Sequence, residues 1–339
     1  MCNKILVLCT IEAGLDSVAH VIHSGYSDII VVGLSPLGVD DSKVSGYVDV
    51  KEFANKNNIN YTYVESYDLT FERDKILIQS LDYSMIWVAG WQRLIPKWLI
   101  ESAQFGAFGG HGSVDGITLG RGRSPQNWAI MLGCKRFVIC LFIITPGIDD
   151  GPVISSREFI YNDHDDIRVS YYKVSLAMAD MICELLDNPK IIESAIQQKG
   201  ISRYFPQRVP SDGVVDWSLG SKQIVRHCLA LTRPYPGLRT CMEGDDVVIW
   251  KCQEFDEKIT EDNGVITSVF LTSDFIVSCG DGRILVREWS CQNSNWFPKV
   301  GKMFESVPYR QQMLNIISRH SGKYPANKLN KRILNQLQD

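Results

Sequence analysis

Residues 106–133 read GAFGGHGSVDGITLGRGRSPQNWAIMLG, followed by the apolar run FVICLFIITPG at 137–147 and by IDDGPVI at 148–154. His111 closes a short apolar segment at a glycine-rich break. Arg121-Gly122-Arg123-Ser124-Pro125 then leads into a helix, and Asp149 lies just past the next strand. A titratable base, a cationic loop and an acid at consecutive strand ends place a site in the crevice of an open α/β sheet.

Working outward, strands at 4–9, 28–34, 60–64 and 84–89 alternate with helical segments at 14–23, 50–56 and 70–80, the pattern of a parallel doubly wound sheet. A proline opens a helix at 96–102. A strand around Ala107, a helix at 125–132 and a strand at 136–144 follow. Val169, Tyr172, Val174, Ala177, Met181 and Leu185 put one apolar face on a long helix at 167–186. The two prolines of YFPQRVP mark a linker at 204–210. Beyond a short helix at 224–231, β-rich runs at 247–250, 265–271, 275–278 and 284–289, separated by glycine turns, read as a small antiparallel barrel or open sheet. The tail after Tyr309 is helical and basic (Lys323, Lys328, Lys331, Arg332) and reads as a solvated face. The expected division is therefore 1–203 catalytic, 204–210 linker, 211–308 β-rich and 309–339 tail.

With 339 residues the chain exceeds one typical core. The net charge of −4 argues against a general nucleic-acid binder, and residues 205–339 hold 17 Lys and Arg against 15 Asp and Glu, too balanced for a dedicated tRNA-binding domain. None of the ten cysteines is spaced as CxxC, so reduced thiols in a cytoplasmic protein are expected. MCNKILVLCT reads as a first strand rather than a signal peptide, and no apolar stretch is long enough for a membrane span.

His111 alone among the six histidines sits in a glycine-rich strand-end context, and its ordinary pKa suits a general base. The plainer alternative is that it caps a turn. Asp149 and Asp150 compete for the role of the acid that orients it. Arginines on a glycine-rich loop ahead of a helix suit phosphate or carboxylate groups, although the loop lacks the Gly-Lys-Ser/Thr ending of a P-loop. A metal set from His111, His164, Asp149 and Asp150 is conceivable, but the NDHDD run at 162–166 reads better as the acidic start of the long helix, and no metal is expected.

In this order the motifs resemble the formyltransferase family that uses 10-formyltetrahydrofolate, whose segment runs roughly Asn-x-His-x-Ser, a loop with Arg-Gly-x-x-Pro, Trp-Ala-Ile and Asp-x-Gly. VAGWQRLIP at 88–96 resembles the family's strand and turn around the pterin, DGVVDW at 212–217 the start of its C-terminal domain, and TRPYPG at 232–237 its Pro-Gly turn. The resemblance spans most of residues 4–290. It implies a Rossmann-like N-terminal formyltransferase domain with a smaller, open barrel-like domain behind it. It further implies 10-formyltetrahydrofolate as co-substrate, His111 and Asp149 as the catalytic pair, and a folate pocket lined by Val88, Arg93, Leu94, Ile95 and Ala107. Ile144, Thr145, Gly147 and Asp149 would close its other wall. Ser113, Arg121 and Arg123 would border the acceptor.

Three departures shape the functional expectation. Gly109 stands where the family has an asparagine that helps bind the formyl oxygen, and loss of such a donor can remove ~3 kcal/mol of transition-state stabilisation. The loop from His111 to Arg121 is longer than the family's and carries Ile117-Thr118 in place of Leu-Pro. The second domain is barely basic. Together they point to an N-formyltransferase acting on a nucleotide-linked amino sugar of surface-glycan synthesis. Methionyl-tRNA formyltransferase is the alternative, with a folate-binding homologue of lost or altered catalysis and a formate-releasing hydrolase behind it. Trp250, Trp289, Trp296 and Phe297 offer a surface for a homodimer.

Overall fold

The computed structural model describes residues 4–37, 46–258 and 261–337. Its elements begin β1 (Ile5–Leu8), α1 (Glu12–His23), β2 (Ile29–Leu34), α2 (Val50–Asn57), β3 (Asn60–Val64), α3 (Glu72–Gln79) and β4 (Met85–Val88). There follow α4 (Lys97–Ile100), β5 (Ala107–Ser113), the two-residue β6 (Arg121–Gly122), α5 (Pro125–Met131), β7 (Arg136–Ile143), β8 (Val153–Ile160) and α6 (Ile167–Asp187). The remainder comprises β9 (Tyr204–Phe205), α7 (Ser221–Leu231), β10 (Leu238–Met242), β11 (Asp245–Asp256), β12 (Ile266–Val269), β13 (Phe275–Cys279), β14 (Gly282–Cys291), α8 (Tyr309–Ser321) and α9 (Lys331–Asn335). Contacts divide the chain into two units. One takes Met1–Arg121, Arg136–Phe159 and Tyr171–Ser202, and the other takes Gly122–Lys135, Ile160–Ser170 and Arg203–Asp339.

The first unit is built on a seven-stranded sheet in the order β3-β2-β1-β4-β5-β7-β8. Its central strands are uninterrupted apolar runs such as ILVL and IIVVGL, buried at every position, as strands covered on both faces must be. Alternate residues feed two cores. Ile5, Val7, Val31 and Trp87 meet Met178 and Met181 of α6 on one face, while Leu6, Leu8, Val32 and Ile86 meet Ile78 and Leu99 on the other. The doubly wound expectation therefore holds.

Two details differ from it. The sheet is mixed, because β7 runs antiparallel to β5, with His111 opposite Cys140 and Ser113 opposite Val138. A parallel return needs a crossover packed back along the sheet. The segment after β5 supplies none, since α5 belongs to the second unit. His111 also lies inside β5, not at its end. The glycines around it serve close packing instead of a turn. A Cβ on Gly110 would stand 2.6 Å from the Met178 sulfur, and one on Gly112 would stand 2.5 Å from the Phe137 ring.

The second unit carries a five-stranded antiparallel sheet, β10-β11-β14-β13-β12, with α7 packed on it. Register shifts along β11 and β14 bend the longest pair, as bulges do. The basic residues of the tail form the solvated face expected of them, with Lys323, Lys331 and Arg332 exposed, while the helix ahead of them is docked. Tyr309, Gln312, Met313, Ile316 and His320 form a buried stripe on α8 at helical spacing. The Gln312 side-chain amide donates to the carbonyls of Val214 and Val307, and the Arg319 guanidinium, 2.6 Å from Oδ1 of buried Asp212, pairs with its carboxylate.

His227 of α7 lies beneath this tail, 5% exposed, with its ring 5.1 Å from the Tyr309 ring and tilted 41° to it. Burial, aided by the nearby charges of Arg208 and Arg226, pushes its imidazole down to about 3. Above pH ~6.5 the ring is neutral in both folded and unfolded chains. Below it the unfolded chain binds a proton that the folded chain refuses, so this group costs about 1.4 kcal/mol of stability per pH unit down to its folded value. Denaturant unfolding should show about 2 kcal/mol more loss between pH 7.5 and pH 5 in the native protein than in His227→Gln. Equal losses in the two would show that His227 is not the group that titrates.

Candidate active site

The site is assembled on the carboxyl side of β4 and β5 and on the β7–β8 connection, all within the first unit. His111 projects from β5 with its side chain 11% exposed. Its Nε2 lies 2.8 Å from the carbonyl oxygen of Gly120 and its Nδ1 lies 3.5 Å from Oδ2 of Asp149. A carbonyl only accepts, so Nε2 carries the hydrogen. Nδ1 is then the ring position that can take up a further proton, and the carboxylate of Asp149 stands next to it.

The backbone explains why Asp149 and not Asp150 faces the histidine. Asp149 adopts a left-handed conformation, φ 48°, which aspartate tolerates better than most residues. Asp150 folds back onto its own loop, where its carboxylate accepts from the Thr145 hydroxyl. The fold-back needs Gly147, because a Cβ there would lie 1.9 Å from Oδ2 of Asp150. Gly151 is equally constrained. Its Cβ would sit 1.7 Å from the carbonyl oxygen of Ile143, inside the β7–β8 hairpin.

The loop after β5 closes on itself. The buried hydroxyl of Ser113 donates to the Gly116 carbonyl and accepts from the Asp115 N–H, which ties it into the loop. Arg121 reaches inward, Nη2 at 2.9 Å from Oε1 of Gln198, and its buried Nε has no partner among the described residues. Arg123 belongs to the second unit, where its N–H meets the Phe205 carbonyl. Asn127, the other amide near the motif, gives its Nδ2 to the Ala230 carbonyl at 2.7 Å in that same unit.

Val88, Ile95, Ala107 and Ile144 share one apolar cluster beside this pair. Ile95 and Ala107 are core, whereas Val88 and Ile144 keep some exposed surface. Leu94 is 60% exposed, and Arg93 lies over the Tyr67 ring with an ion pair to Asp68 at 3.3 Å. Ile144 also accounts for residue 109. A Cβ on Gly109 would stand 3.0 Å from its Cδ1, so an isoleucine side chain occupies the space beside that position. Gly109 itself brings no side-chain donor.

Sequence reasoning missed Gln198. Its Nε2 donates to the carbonyls of Asp149 and Gly151 at 2.8 and 2.9 Å, and its Oε1 accepts from Thr118 at 3.0 Å as well as from Arg121. The stretch QQKG at 197–200 carries no spacing that would have pointed to it. Among the described residues no three of His, Cys, Asp and Glu gather as a metal set, and no described helix is long and apolar enough to cross a membrane.

A mixed α/β sheet followed in the chain by a small antiparallel sheet is a layout shared with solved formyltransferases. Residues 209–296 match the formyl transferase C-terminal domain. Over most of its length the chain is similar to members of the formyltransferase family. It is 25% identical over 254 residues to the bifunctional polymyxin resistance protein ArnA of Wigglesworthia glossinidia brevipalpis, a match covering 73% of this chain but only 37% of that longer protein. Methionyl-tRNA formyltransferase of Bacillus subtilis (strain 168) is 24% identical over 290 residues, 84% of this chain and 89% of its own length. The N-formyltransferase of Helicobacter canadensis, solved with folinic acid and dTDP-3-aminofucose, shares the fold. Its TM-score is 0.57 at 18% identity, over 84% of this chain and 98% of that one.

Proposed function

We propose that the chain transfers a formyl group from 10-formyltetrahydrofolate to the amine of a nucleotide-linked amino sugar. The observation that carries this reading is His111 held between the Gly120 carbonyl and Asp149. Val88 and Ile144, backed by Ile95 and Ala107, offer an apolar surface of the kind that can take a flat heterocycle. Amide formation joins the amine nitrogen to the formyl carbon, breaks that carbon's bond to N10 of the folate, and moves one proton from the amine to N10. Nδ1 of His111 accepts the amine proton, Asp149 stabilises the imidazolium so formed, and the ring returns the proton to N10. Because residue 109 brings no donor, backbone N–H groups and the imidazolium must stabilise the oxyanion.

Charge and the relatives support this reading of the acceptor. An N-formyltransferase of this fold was solved with a dTDP-linked amino sugar. The tRNA reading is favoured by the match to the Bacillus subtilis enzyme along nearly its whole length. Against it, residues 205–339 hold only two more basic than acidic side chains, 17 against 15, and tRNA binding depends on phosphate neutralisation. Tetrahydrofolate release should be followed with nucleotide-linked 3- and 4-amino sugars and with charged initiator tRNA. Turnover on an amino sugar is expected. Turnover on tRNA alone would replace this reading with the second, and folate binding without turnover on any amine would reject both.

A further inference from the structure

Gln198 lies two residues beyond the bridge that Ile196 makes with Val153, on extended chain alongside the start of β8. A glutamine side chain has two N–H donors and an oxygen with two lone pairs, and here all are engaged. The donors hold the carbonyls of Asp149 and Gly151, and the oxygen holds Thr118 and Arg121. One side chain thus fastens two loops that are far apart in sequence. The first is the β7–β8 connection that bears Asp149. The second is the loop after β5, whose Gly120 carbonyl holds His111 Nε2 immediately before Arg121.

We propose that Gln198 is a positioning residue for the His111–Asp149 pair, fixing from outside the pair the two groups between which the imidazole sits. Its four described hydrogen bonds go to neither the ring nor the carboxylate. Its influence passes through the Asp149 backbone on one side and through Thr118, Arg121 and Gly120 on the other. The geometry also gives Arg121 a job inside the protein, since its Nη2 closes the clamp. The catalytic side of this inference rests on the formyl-transfer reading, whereas the structural side does not.

The test uses the full-length protein with Gln198→Ala, Gln198→Glu and, as control, the exposed neighbour Gln197→Ala. Glutamate keeps an acceptor for Thr118 and Arg121 but turns a bare oxygen toward two carbonyls, so it isolates the donor half of the clamp. Misplacing a reacting pair by about 1 Å costs roughly a hundredfold in rate. Both Gln198 variants should therefore lose about a hundredfold in kcat while KM for folate and acceptor stays within about threefold. Gln197→Ala should match the parent. Crystals of Gln198→Ala should show His111 Nδ1 and Asp149 Oδ2 further apart than 3.5 Å or the Gly120 bond broken.

Unchanged kcat, or a fall in thermal stability with full kcat in the folded fraction, would overturn the proposal. If the parent turns over no acceptor, the crystals still decide. A displaced pair sustains the positioning role while the formyl-transfer reading fails, and an undisturbed pair removes the positioning role as well.

Discussion

Replacing His111 with glutamine or with asparagine is expected to lower kcat for formyl transfer by about two to four orders of magnitude, the range supplied by a positioned general base. The two substitutions divide what the imidazole does. Glutamine sets an amide near the position of Nε2, where it can still donate to the Gly120 carbonyl. Asparagine sets one near Nδ1, within reach of Asp149. Neither amide takes up a proton near neutral pH, so both variants should fail alike although each keeps one hydrogen bond. KM for folate should move little, because the apolar wall of Val88, Ile95, Ala107 and Ile144 is left intact. Single-turnover kinetics at saturating folate provide the measurement. A glutamine variant with more than about a tenth of the parent rate would show that Nδ1 is not the base.

Asp149→Asn should cost about a hundredfold to ten-thousandfold in kcat, with Asp150→Asn within about threefold of the parent. Asparagine tolerates the left-handed backbone that Asp149 adopts, and it leaves the backbone carbonyl to which Gln198 donates. Only the negative charge beside Nδ1 is lost. Without it an imidazolium has no counter-ion, and the amide nitrogen can donate to Nδ1 and occupy the lone pair that the amine proton needs. Asp150 spends its carboxylate on Thr145, so neutralising it alters the loop and not the pair. Rates of the two variants under one set of conditions decide the assignment. Similar losses in both would mean that the loop as a whole, and not the carboxylate at 149, carries the effect.

The histidine and the acid were legible because each sits in a short motif beside glycines, and the order of motifs matched a family pattern. Geometry then separates Asp149 from Asp150 through φ angles and Cβ clearances that no spacing rule reports. The direction of β7 was not legible, since RFVICLFI is equally apolar read either way and pairs as well in either sense. Nor was the docking of α8. The stripe of Tyr309, Met313, Ile316 and His320 was present in the sequence, but the lysines after it drew the reading toward a solvated tail. Gln198 was hidden for a different reason. Its importance comes wholly from partners that lie 47 to 80 positions away.

The division of the chain has a consequence for how such a protein can be taken apart. Its two units are not successive: between Arg121 and Arg203 the polypeptide passes from one to the other five times. The stretch with the most recognisable motifs is where the first passage occurs, His111 and Arg121 remaining in one unit while Gly122 onward enters the other. A single cut therefore liberates neither as a complete body. Synthesis must have reached residue 202 before the first unit holds all its parts, and the second needs segments that left the ribosome long before its own sheet. The two are interleaved in translation order, and their evolution as separable modules is constrained accordingly.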